Sequence, residues 1–205
     1  MRGLYALKPW YTRRLAAVVR GAVDRNVSPD VFTLLGVGGA AAAGVTIALG
    51  WWPAALVLLA VRLAGANLDG AVARARGVSR PWGFVLNEIG DRASDLLMFA
   101  GLAVLAARTD APVWGHAVLW STVAALAAAL PTFASLAGTG AGVPRLNGGP
   151  FGKTERCAVV VLATALPHLI PPLCALVVLG SLATVASRLW RIHRELDSVK
   201  AGTGP

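Results

Sequence analysis

The run Asp69-Gly70-Ala71-Val72-Ala73-Arg74, followed after eight residues by Gly83-x-x-x-Asn87-x-x-x-Asp91, places ionisable side chains between and inside long apolar segments. An ionisable residue at the centre of a membrane span costs about 3 kcal/mol on insertion scales, so it is a functional candidate by default. The polar positions of the second half recur every four residues and would share one face of a helix. The run therefore predicts a functional site built on two adjacent membrane helices.

The composition indicates a polytopic membrane protein. Of the 205 residues, 56% are hydrophobic and 14% are charged, whereas about a quarter of the residues of a soluble domain are charged. Apolar runs close to the ~20 residues that a spanning helix needs recur along the chain. We predict an all-α fold with an amphipathic juxtamembrane helix followed by six transmembrane helices, over residues 31–50, 53–76, 82–107, 112–137, 155–170 and 172–190.

The basic residues predict the orientation of these spans. The connections after the first, third and fifth spans contain one basic residue, Arg108, and the other connections and both termini are rich in arginine and lysine. By the positive-inside rule, both termini lie in the cytoplasm of a multi-pass cell-membrane (plasma or inner membrane) protein. We expect a cytoplasmic amphipathic segment over 1–29, a catalytic domain over 30–190 and a cytoplasmic tail over 191–205. The distribution of the +9 net charge favours anionic headgroups as partners and argues against nucleic acid.

Two features near the N-terminus bear on packing. From about Pro9 to Arg25, the apolar residues Tyr11, Leu15, Val18 and Ala22 recur at helical spacing, which predicts a helix along the headgroups, with a basic flank that only sets topology as the alternative. The first span is dense in glycine, at Gly36, Gly38, Gly39 and Gly44. Small residues four apart allow helices to approach closely in lipid, and both intramolecular packing and a homodimer face are compatible with this pattern.

The acidic residues need partners. Asn87, Asp91 and Asp95 are four apart on one helix face, and Asp69 lies near the cytoplasmic end of the preceding span. Several carboxylates cannot all stay ionised unaided in a low-dielectric site. Two resolutions are open: the carboxylates pair with arginine, the candidates being Arg62, Arg74 and Arg92, or they bind a hard divalent cation such as Mg²⁺ or Mn²⁺.

The neighbours of Asp69 add a phosphate-binding character to the site. Gly70 gives a bulky polar ligand access to the backbone. Arg74 offers a planar fork of donors that matches phosphate oxygens. Carboxylates, a glycine and an arginine at a membrane surface together predict a site for metal-held pyrophosphate.

The run resembles the signature of the CDP-alcohol phosphatidyltransferase family. That signature is Asp-x-x-Asp-Gly-x-x-Ala-Arg, eight or nine residues, then Gly-x-x-x-Asp-x-x-x-Asp. The positions that match it in identity and spacing are Asp69, Gly70, Ala73, Arg74, Gly83 and Asp91. The run from Pro29 to Thr33 is similar to the Pro-Asn-x-x-Thr opening of the family's first span, and Gly152 to Arg156 is similar to its basic segment at the fifth span. The likeness covers about residues 10–190.

Two positions depart from the signature. Ala66 stands where the family has its first aspartate, and Asn87 stands at the third. In the family the four aspartates hold divalent metals, and the fourth is the proposed general base. The resemblance implies Asp91 as the catalytic base and Asp69, Asn87 and Asp91 as metal ligands, in which Asn87 offers an uncharged carbonyl oxygen, and the neighbouring Asp95 completes the predicted metal set as a compensating carboxylate. Asn67 and Glu88 are further candidates to compensate for the lost carboxylates. The resemblance also implies that Thr33, Gly70, Arg74 and Gly83 bind the nucleotide pyrophosphate.

The implied reaction is transfer of a phosphatidyl group from CDP-diacylglycerol to a small alcohol, with release of CMP, in phospholipid biosynthesis. Mg²⁺ or Mn²⁺ is the implied cofactor, membrane lipids surround the protein, and we expect a homodimer. The candidates to hold a phosphorylated acceptor are Arg92, Arg145, Lys153 and Arg156, and topology with headgroup contact is their alternative role. A catalytically degenerate CDP-lipid-binding protein or partner subunit is the alternative function. A transporter would more typically show internal repeats, and the sequence has no convincing one.

Overall fold

The computed structural model describes residues 13–110 and 113–200, and within these ranges the fold is all-α, as predicted. The helices are α1 Ala16–Asp24, α2 Pro29–Ala48, α3 Trp52–Ala75, α4 Pro81–Ala107, α5 Ala117–Gly140, α6 Lys153–Ala165 and α7 Ile170–Lys200. A 3₁₀ turn, Pro167–Leu169, separates α6 from α7. The site that the sequence predicts therefore falls on α2, α3 and α4.

Prolines set the starts of the helices that carry the site. Pro29 opens α2, and the hydroxyl of Ser28 accepts a hydrogen bond of 3.3 Å from the backbone N–H of Asp30. Pro81 opens α4 in the same way. Proline suits a first turn because it has no N–H to leave unpaired there. The residues before the two prolines, Ser28 and Arg80, have an extended backbone because the proline ring disfavours a helical conformation in the preceding residue.

Glycines bring α2 into close contact with α3 and α4. A Cβ atom built on Gly101 would lie 2.2 Å from the carbonyl oxygen of Gly44, and one built on Gly65 would lie 2.7 Å from the backbone nitrogen of Gly36. Such distances are impossible for any side chain, so these crossings require glycine. Of the two uses predicted for the glycines of the first span, Gly36, Gly39 and Gly44 serve intramolecular packing, and the homodimer stays a prediction.

The second half of the bundle forms around α4 as well. Helix α5 packs on α4 and α7, and the short α6 contacts α3, α4 and α7. The apolar core between these helices contains Met98, Phe99 and Leu102 of α4 together with Leu59 of α3 and Val160 of α6. Helix α4 is thus in contact with α2, α3, α5 and α6, which makes it the helix about which the site residues are arranged.

Four of the six predicted spans are found as candidate membrane spans within the described residues, and the other two stay predictions. Helices α2, α3 and α5 and the stretch Pro167–Ser198 are long and apolar enough to cross a membrane, so the chain is a membrane protein. The predicted third span is the charge-bearing α4, and the predicted fifth span, 155–170, is broken: α6 ends at Ala165 because Pro167 cannot continue it. The predicted tail after residue 190 continues α7 as far as Lys200.

The predicted N-terminal helix lies only partly within the described residues, where Arg13 and Arg14 are helical and a turn at Leu15 precedes α1. Residues 1–12, including Pro9 and Tyr11, lie outside the described residues, and α1 begins at Ala16. Ala22 is buried, and Leu15 and Val19 pack against the cluster formed by Phe32, Leu68 and Val72, whereas Val18 is 45% exposed. The side of α1 that contacts α3 therefore contains Val19, and Val18 lies outside that contact.

Candidate functional site

A cavity of about 660 Å³ opens between the start of α2, the end of α3 and the start of α4. Six of the residues predicted for the site line it: Thr33, Asp69, Gly70, Arg74, Gly83 and Asn87. The close glycine contacts of α2 with its neighbours place these side chains around one space, although they lie on three helices. Asp91 and Asp95, one and two turns further along α4 than Asn87, do not line this cavity.

Asp69 is the carboxylate at the inner end of this cavity, and it is only 6% exposed. Its Oδ2 accepts a hydrogen bond of 3.0 Å from the hydroxyl of Thr33 and a second hydrogen bond from the amide nitrogen of Asn87. Its Oδ1 accepts one of 2.5 Å from the backbone N–H of Gly70. All three donors are neutral, and no ion pair of the described residues involves Asp69. Its negative charge is therefore not balanced by an ion pair within the described part of the chain.

A second, much smaller cavity of about 10 Å³ lies deeper between the same helices. Its lining includes Asp69, Asn87 and Asp91, with Thr33, Ser94 and the cationic Arg62 beside them. This volume is close to the smallest that accommodates one water molecule. The three predicted ligands thus meet at a space large enough for one small ion or one water.

Asp91 has a cationic partner on α6. The ammonium of Lys153, the first residue of α6, lies 3.0 Å from Oδ2 and 3.2 Å from Oδ1 of Asp91. Both side chains are partly buried. The carboxylate that the sequence predicts as a general base is therefore held in place by an ammonium group from a helix more than sixty residues away.

Asp95, one turn deeper, is enclosed by arginine. Its carboxylate lies 2.5 Å from Arg62, 2.9 Å from Arg92 and 3.0 Å from Arg156, and its side chain is 4% exposed. Arg62 also donates a hydrogen bond of 2.9 Å to the sulfur of Cys157. Asp95 lines neither cavity. Pairing with arginine, one of the two resolutions left open by the sequence, thus applies to Asp95, and the structure places this predicted metal ligand in an ion-pair network instead.

The four residues predicted to hold an acceptor all lie beside the acidic face of α4. Arg145 pairs with Glu88, and its guanidinium lies 4.7 Å from the ring centroid of Phe84, a residue of the cavity wall. Lys153 contacts Asp91, whereas Arg92 and Arg156 contact Asp95. Arg92, Arg145 and Lys153 are each about one quarter exposed and Arg156 is buried, so the first three are the ones that a solute can reach.

Sequence reasoning missed a basic rim of the cavity. Arg76 donates a hydrogen bond of 2.6 Å to the backbone carbonyl of Val27, and Arg80 pairs with Asp30. Both arginines line the cavity beside Arg74. The available signal was the arginine-rich connection between the second and third spans, which the positive-inside rule explained without any further role.

The candidate ligands fit a hard divalent cation that takes only a few of its ligands from the protein. Every candidate ligand atom is an oxygen, as Mg²⁺ and Mn²⁺ prefer. Within the described part of the chain, however, no three His, Cys, Asp or Glu side chains form a cluster that would hold a metal. Asp69, Asp91 and the amide oxygen of Asn87 fit one ion whose remaining ligands are water or phosphate oxygens.

Comparison with known proteins gives a consistent result. The family model for CDP-alcohol phosphatidyltransferase matches residues 26–195. An uncharacterized protein of Aquifex aeolicus is 30% identical over 191 residues, which cover 93% of this chain and 95% of that protein. The phosphatidylinositol phosphate synthase of Mycolicibacterium smegmatis is 31% identical over 163 residues, covering 78% of this chain and 71% of that enzyme.

The fold has a close structural counterpart. The crystal structure of the Mycobacterium tuberculosis phosphatidylinositol phosphate synthase with CDP-DAG bound superimposes with a TM-score of 0.70 at 24% identity, covering 88% of this chain and 94% of that one. The same enzyme in complex with manganese and citrate gives a TM-score of 0.68. The overall helical fold is therefore shared with these structures.

Proposed function

Because the chain belongs to the CDP-alcohol phosphatidyltransferase family, we propose that its reaction takes place in the cavity between α2, α3 and α4. The donor is CDP-diacylglycerol, the acceptor is a small alcohol, and CMP is released. The observation that carries the proposal is that signature residues of α3 and α4 converge on this one cavity with Thr33 of α2, which matches the family's opening motif. We propose that the described helices over 30–190 form the catalytic domain.

The pyrophosphate of the donor binds at Arg74, Gly70, Gly83 and Thr33. A Cβ atom at Gly70 would lie 3.1 Å from a guanidinium nitrogen of Arg74, so glycine leaves that group the room to meet a ligand. A guanidinium can give two parallel hydrogen bonds to phosphate oxygens. Thr33 contributes by fixing the orientation of the Asp69 carboxylate, to which it donates its hydroxyl hydrogen.

Mg²⁺ or Mn²⁺ is the cofactor, and Asp69, Asn87 and Asp91 are the residues that would hold it. When bound, the ion neutralises charge on the pyrophosphate and on the departing phosphate. The manganese in the Mycobacterium tuberculosis structure supports this assignment. We leave Asp95 out of the ligand set because three arginines already pair with its carboxylate.

Asp91 is the general base that takes the proton of the acceptor hydroxyl. Its carboxylate lies at the end of the small cavity, and the ammonium of Lys153 holds it there. A positioned carboxylate contributes about 10²–10⁴-fold by accepting the proton in the transition state. The attacking oxygen then forms a bond to the β-phosphorus of the donor while the bond from that phosphorus to CMP breaks.

The acceptor is proposed to be a phosphorylated alcohol. Two of the relatives are phosphatidylinositol phosphate synthases, and Arg145 and Lys153 offer partly exposed cations beside Asp91. Charge-assisted hydrogen bonds from such groups bind phosphate strongly. Arg92 and Arg156 add positive charge behind them while they pair with Asp95.

We also propose six membrane crossings with both termini in the cytoplasm of the cell membrane, and a homodimeric assembly. Helix α4 has 27 residues, about 40 Å at 1.5 Å per residue, which exceeds the ~30 Å hydrocarbon core. The odd-numbered connections contain Arg108 alone among basic residues, which supports the orientation. Exposed apolar side chains on α4 and α5, such as Leu96 and Phe133, support contact with lipid or with a second copy.

The test is CMP release by the purified protein in lipid nanodiscs with CDP-diacylglycerol, Mn²⁺ and a panel of free and phosphorylated alcohols. We expect release with a phosphorylated acceptor, and loss of at least about 100-fold in Asp69→Asn and in Asp91→Asn. Asp197→Asn, in the exposed end of α7, is the matched control and should retain activity. Binding of CDP-diacylglycerol without CMP release from any acceptor would establish the degenerate lipid-binding function instead, and full turnover in Asp69→Asn would reject the site.

A further inference from the structure

We infer that this site takes one divalent cation, and that it takes the cation together with the pyrophosphate of the CDP-lipid rather than before it. The inference rests on the proposed function and adds the number of ions and the order of binding. Three observations support it. The carboxylates of α4 already pair with cations of the protein, the enclosed cavity at Asp69 is small, and the wall of the large cavity is rich in arginine.

The acidic face of α4 is already neutralised. Glu88 pairs with Arg145, and Asp91 pairs with Lys153. Asp95 pairs with Arg62, Arg92 and Arg156. Ala66, one turn before Asp69 on the cavity wall, offers no ligand atom, and Asn87 offers an uncharged one. Among these acidic residues, Asp69 thus differs in that all of its hydrogen-bond donors are neutral.

The enclosed space that Asp69 shares with Asp91 accommodates one ion. The small cavity bounded by Asp69, Asn87 and Asp91 has a volume of about 10 Å³, which is near that of one water-sized sphere. A pair of metal ions about 4 Å apart needs carboxylates on both sides. The alanine and the asparagine remove those charges on the two helices that face each other across the cavity.

The cavity wall disfavours a cation that arrives alone. Arg74, Arg76 and Arg80 line the same cavity as Asp69 and Asp30, so the wall has three positive and two negative side chains. The pyrophosphate brings about two negative charges and several oxygen ligands. Magnesium sites of this kind typically use one or two carboxylates completed by substrate phosphates. The substrate therefore supplies both the charge and the ligands that Ala66 and Asn87 do not.

The test measures Mn²⁺ binding by the loss of the free-ion EPR signal, with protein in nanodiscs that lack or contain CDP-diacylglycerol. Protein-free nanodiscs with the same lipid correct for Mn²⁺ bound by the lipid itself. We expect one Mn²⁺ per chain with CDP-diacylglycerol and an apparent affinity at least about tenfold weaker without it. Because linkage is reciprocal, Mn²⁺ should strengthen CDP-diacylglycerol binding by the same factor.

A variant that restores the carboxylates provides the matched comparison. Ala66→Asp combined with Asn87→Asp should bind Mn²⁺ without the CDP-lipid and should raise the stoichiometry above one. Ser79→Asp adds one negative charge to the wall of the same cavity, as Asn87→Asp alone does, and should leave the lipid requirement unchanged. Should the double variant not fold, Asn87→Asp alone is expected to reduce the lipid requirement.

The outcomes separate the inference from the proposed function. Two Mn²⁺ ions bound by the wild type, or equal affinity with and without CDP-diacylglycerol in a protein that releases CMP, would overturn the inference and leave the function standing. Absence of both CMP release and CDP-diacylglycerol binding would overturn the proposed function and this inference with it.

Discussion

Arg156 lies 3.0 Å from Asp95, in a buried ion pair that joins α6 to α4 directly behind the site. About one turn nearer the cavity, Lys153 and Asp91 form a second ion pair between the same helices, also at 3.0 Å. The two ion pairs link α4 to α6 about one turn apart, because Asp91 and Asp95 are four residues apart and Lys153 and Arg156 are three apart. The buried ion pair thereby fixes the position of the ion pair that contains the proposed base.

Replacement of Asp95 by asparagine should destabilise the protein strongly. Arg62, Arg92 and Arg156 would then be left without their counter-charge. Removal of one partner from a buried ion pair costs about 3–5 kcal/mol, measurable as the shift in the unfolding midpoint in detergent. Asp30→Asn breaks the half-exposed pair with Arg80 and should cost less than about 1 kcal/mol. Equal shifts in the two variants would show that the network adds no stability.

The Gly101 crossing gives a prediction about the fold. A Cβ at Gly101 would lie 2.2 Å from the carbonyl oxygen of Gly44, so Gly101→Ala must push α4 away from α2. We expect a loss of about 1–3 kcal/mol, the usual range for overpacking. Gly38→Ala, on an exposed face of α2 with no atom within 4 Å of its Cβ, should be neutral or stabilise by up to about 1 kcal/mol through helix propensity. An unfolding series in detergent that ranks the two variants the other way would contradict the packing.

Much of the fold could be predicted from apolar runs, and what escaped prediction has a local cause. Run length and proline place α4 within one residue of its observed start, but they do not show that Pro167 ends the predicted fifth span early. The period of four places Asp91 and Asp95 on one face. It does not distinguish a carboxylate that binds ligand from one that pairs with Arg156, because that pairing depends on how α6 packs 61 residues later.

The site shows the same division. The resemblance predicts Thr33 at the pyrophosphate, and the structure brings its hydroxyl to Asp69 across 36 residues. The roles of Arg76 and Arg80 could not be predicted, because a basic loop that sets topology and a basic cavity rim have the same composition. Only the packing of the loop against the start of α2 distinguishes them.

Removal of the Thr33 hydroxyl should lower activity without loss of fold. Thr33→Val keeps the shape of the side chain and removes its hydrogen bond of 3.0 Å to Asp69. A hydrogen bond to a charged group contributes about 1.5–3 kcal/mol, so CMP release should fall by about 10–100-fold. Thr46→Val removes a hydroxyl that bonds only its own helix at Ala43 and is the control. Unchanged turnover in Thr33→Val would show that Thr33 is not needed to orient Asp69.

Arg74 should determine affinity for the donor. Arg74→Lys keeps the charge but loses the planar pair of donors, so we expect the KM for CDP-diacylglycerol to rise about tenfold while the KM for the acceptor stays constant. The matched control is Arg108→Lys, at the C-terminal end of α4. This substitution loses only a weak contact to the carbonyl of Ala48. Steady-state kinetics with each substrate varied in turn will test this. A rise in the KM of the acceptor alone would move Arg74 out of the proposed pyrophosphate site.

Lys153 should discriminate between phosphorylated and unphosphorylated acceptors. Lys153→Gln removes the ammonium that contacts Asp91, and any effect on the base is common to every acceptor. The ratio of kcat/KM for a phosphorylated alcohol to that for its unphosphorylated analogue cancels this common effect and isolates contact with the acceptor phosphate. We expect that ratio to fall by about 10–100-fold, as for the loss of one charge-assisted hydrogen bond. Arg191→Gln, on an exposed turn of α7, should leave the ratio unchanged. If Lys153→Gln lowers kcat/KM equally for both acceptors, then Lys153 positions Asp91 and does not bind the acceptor phosphate.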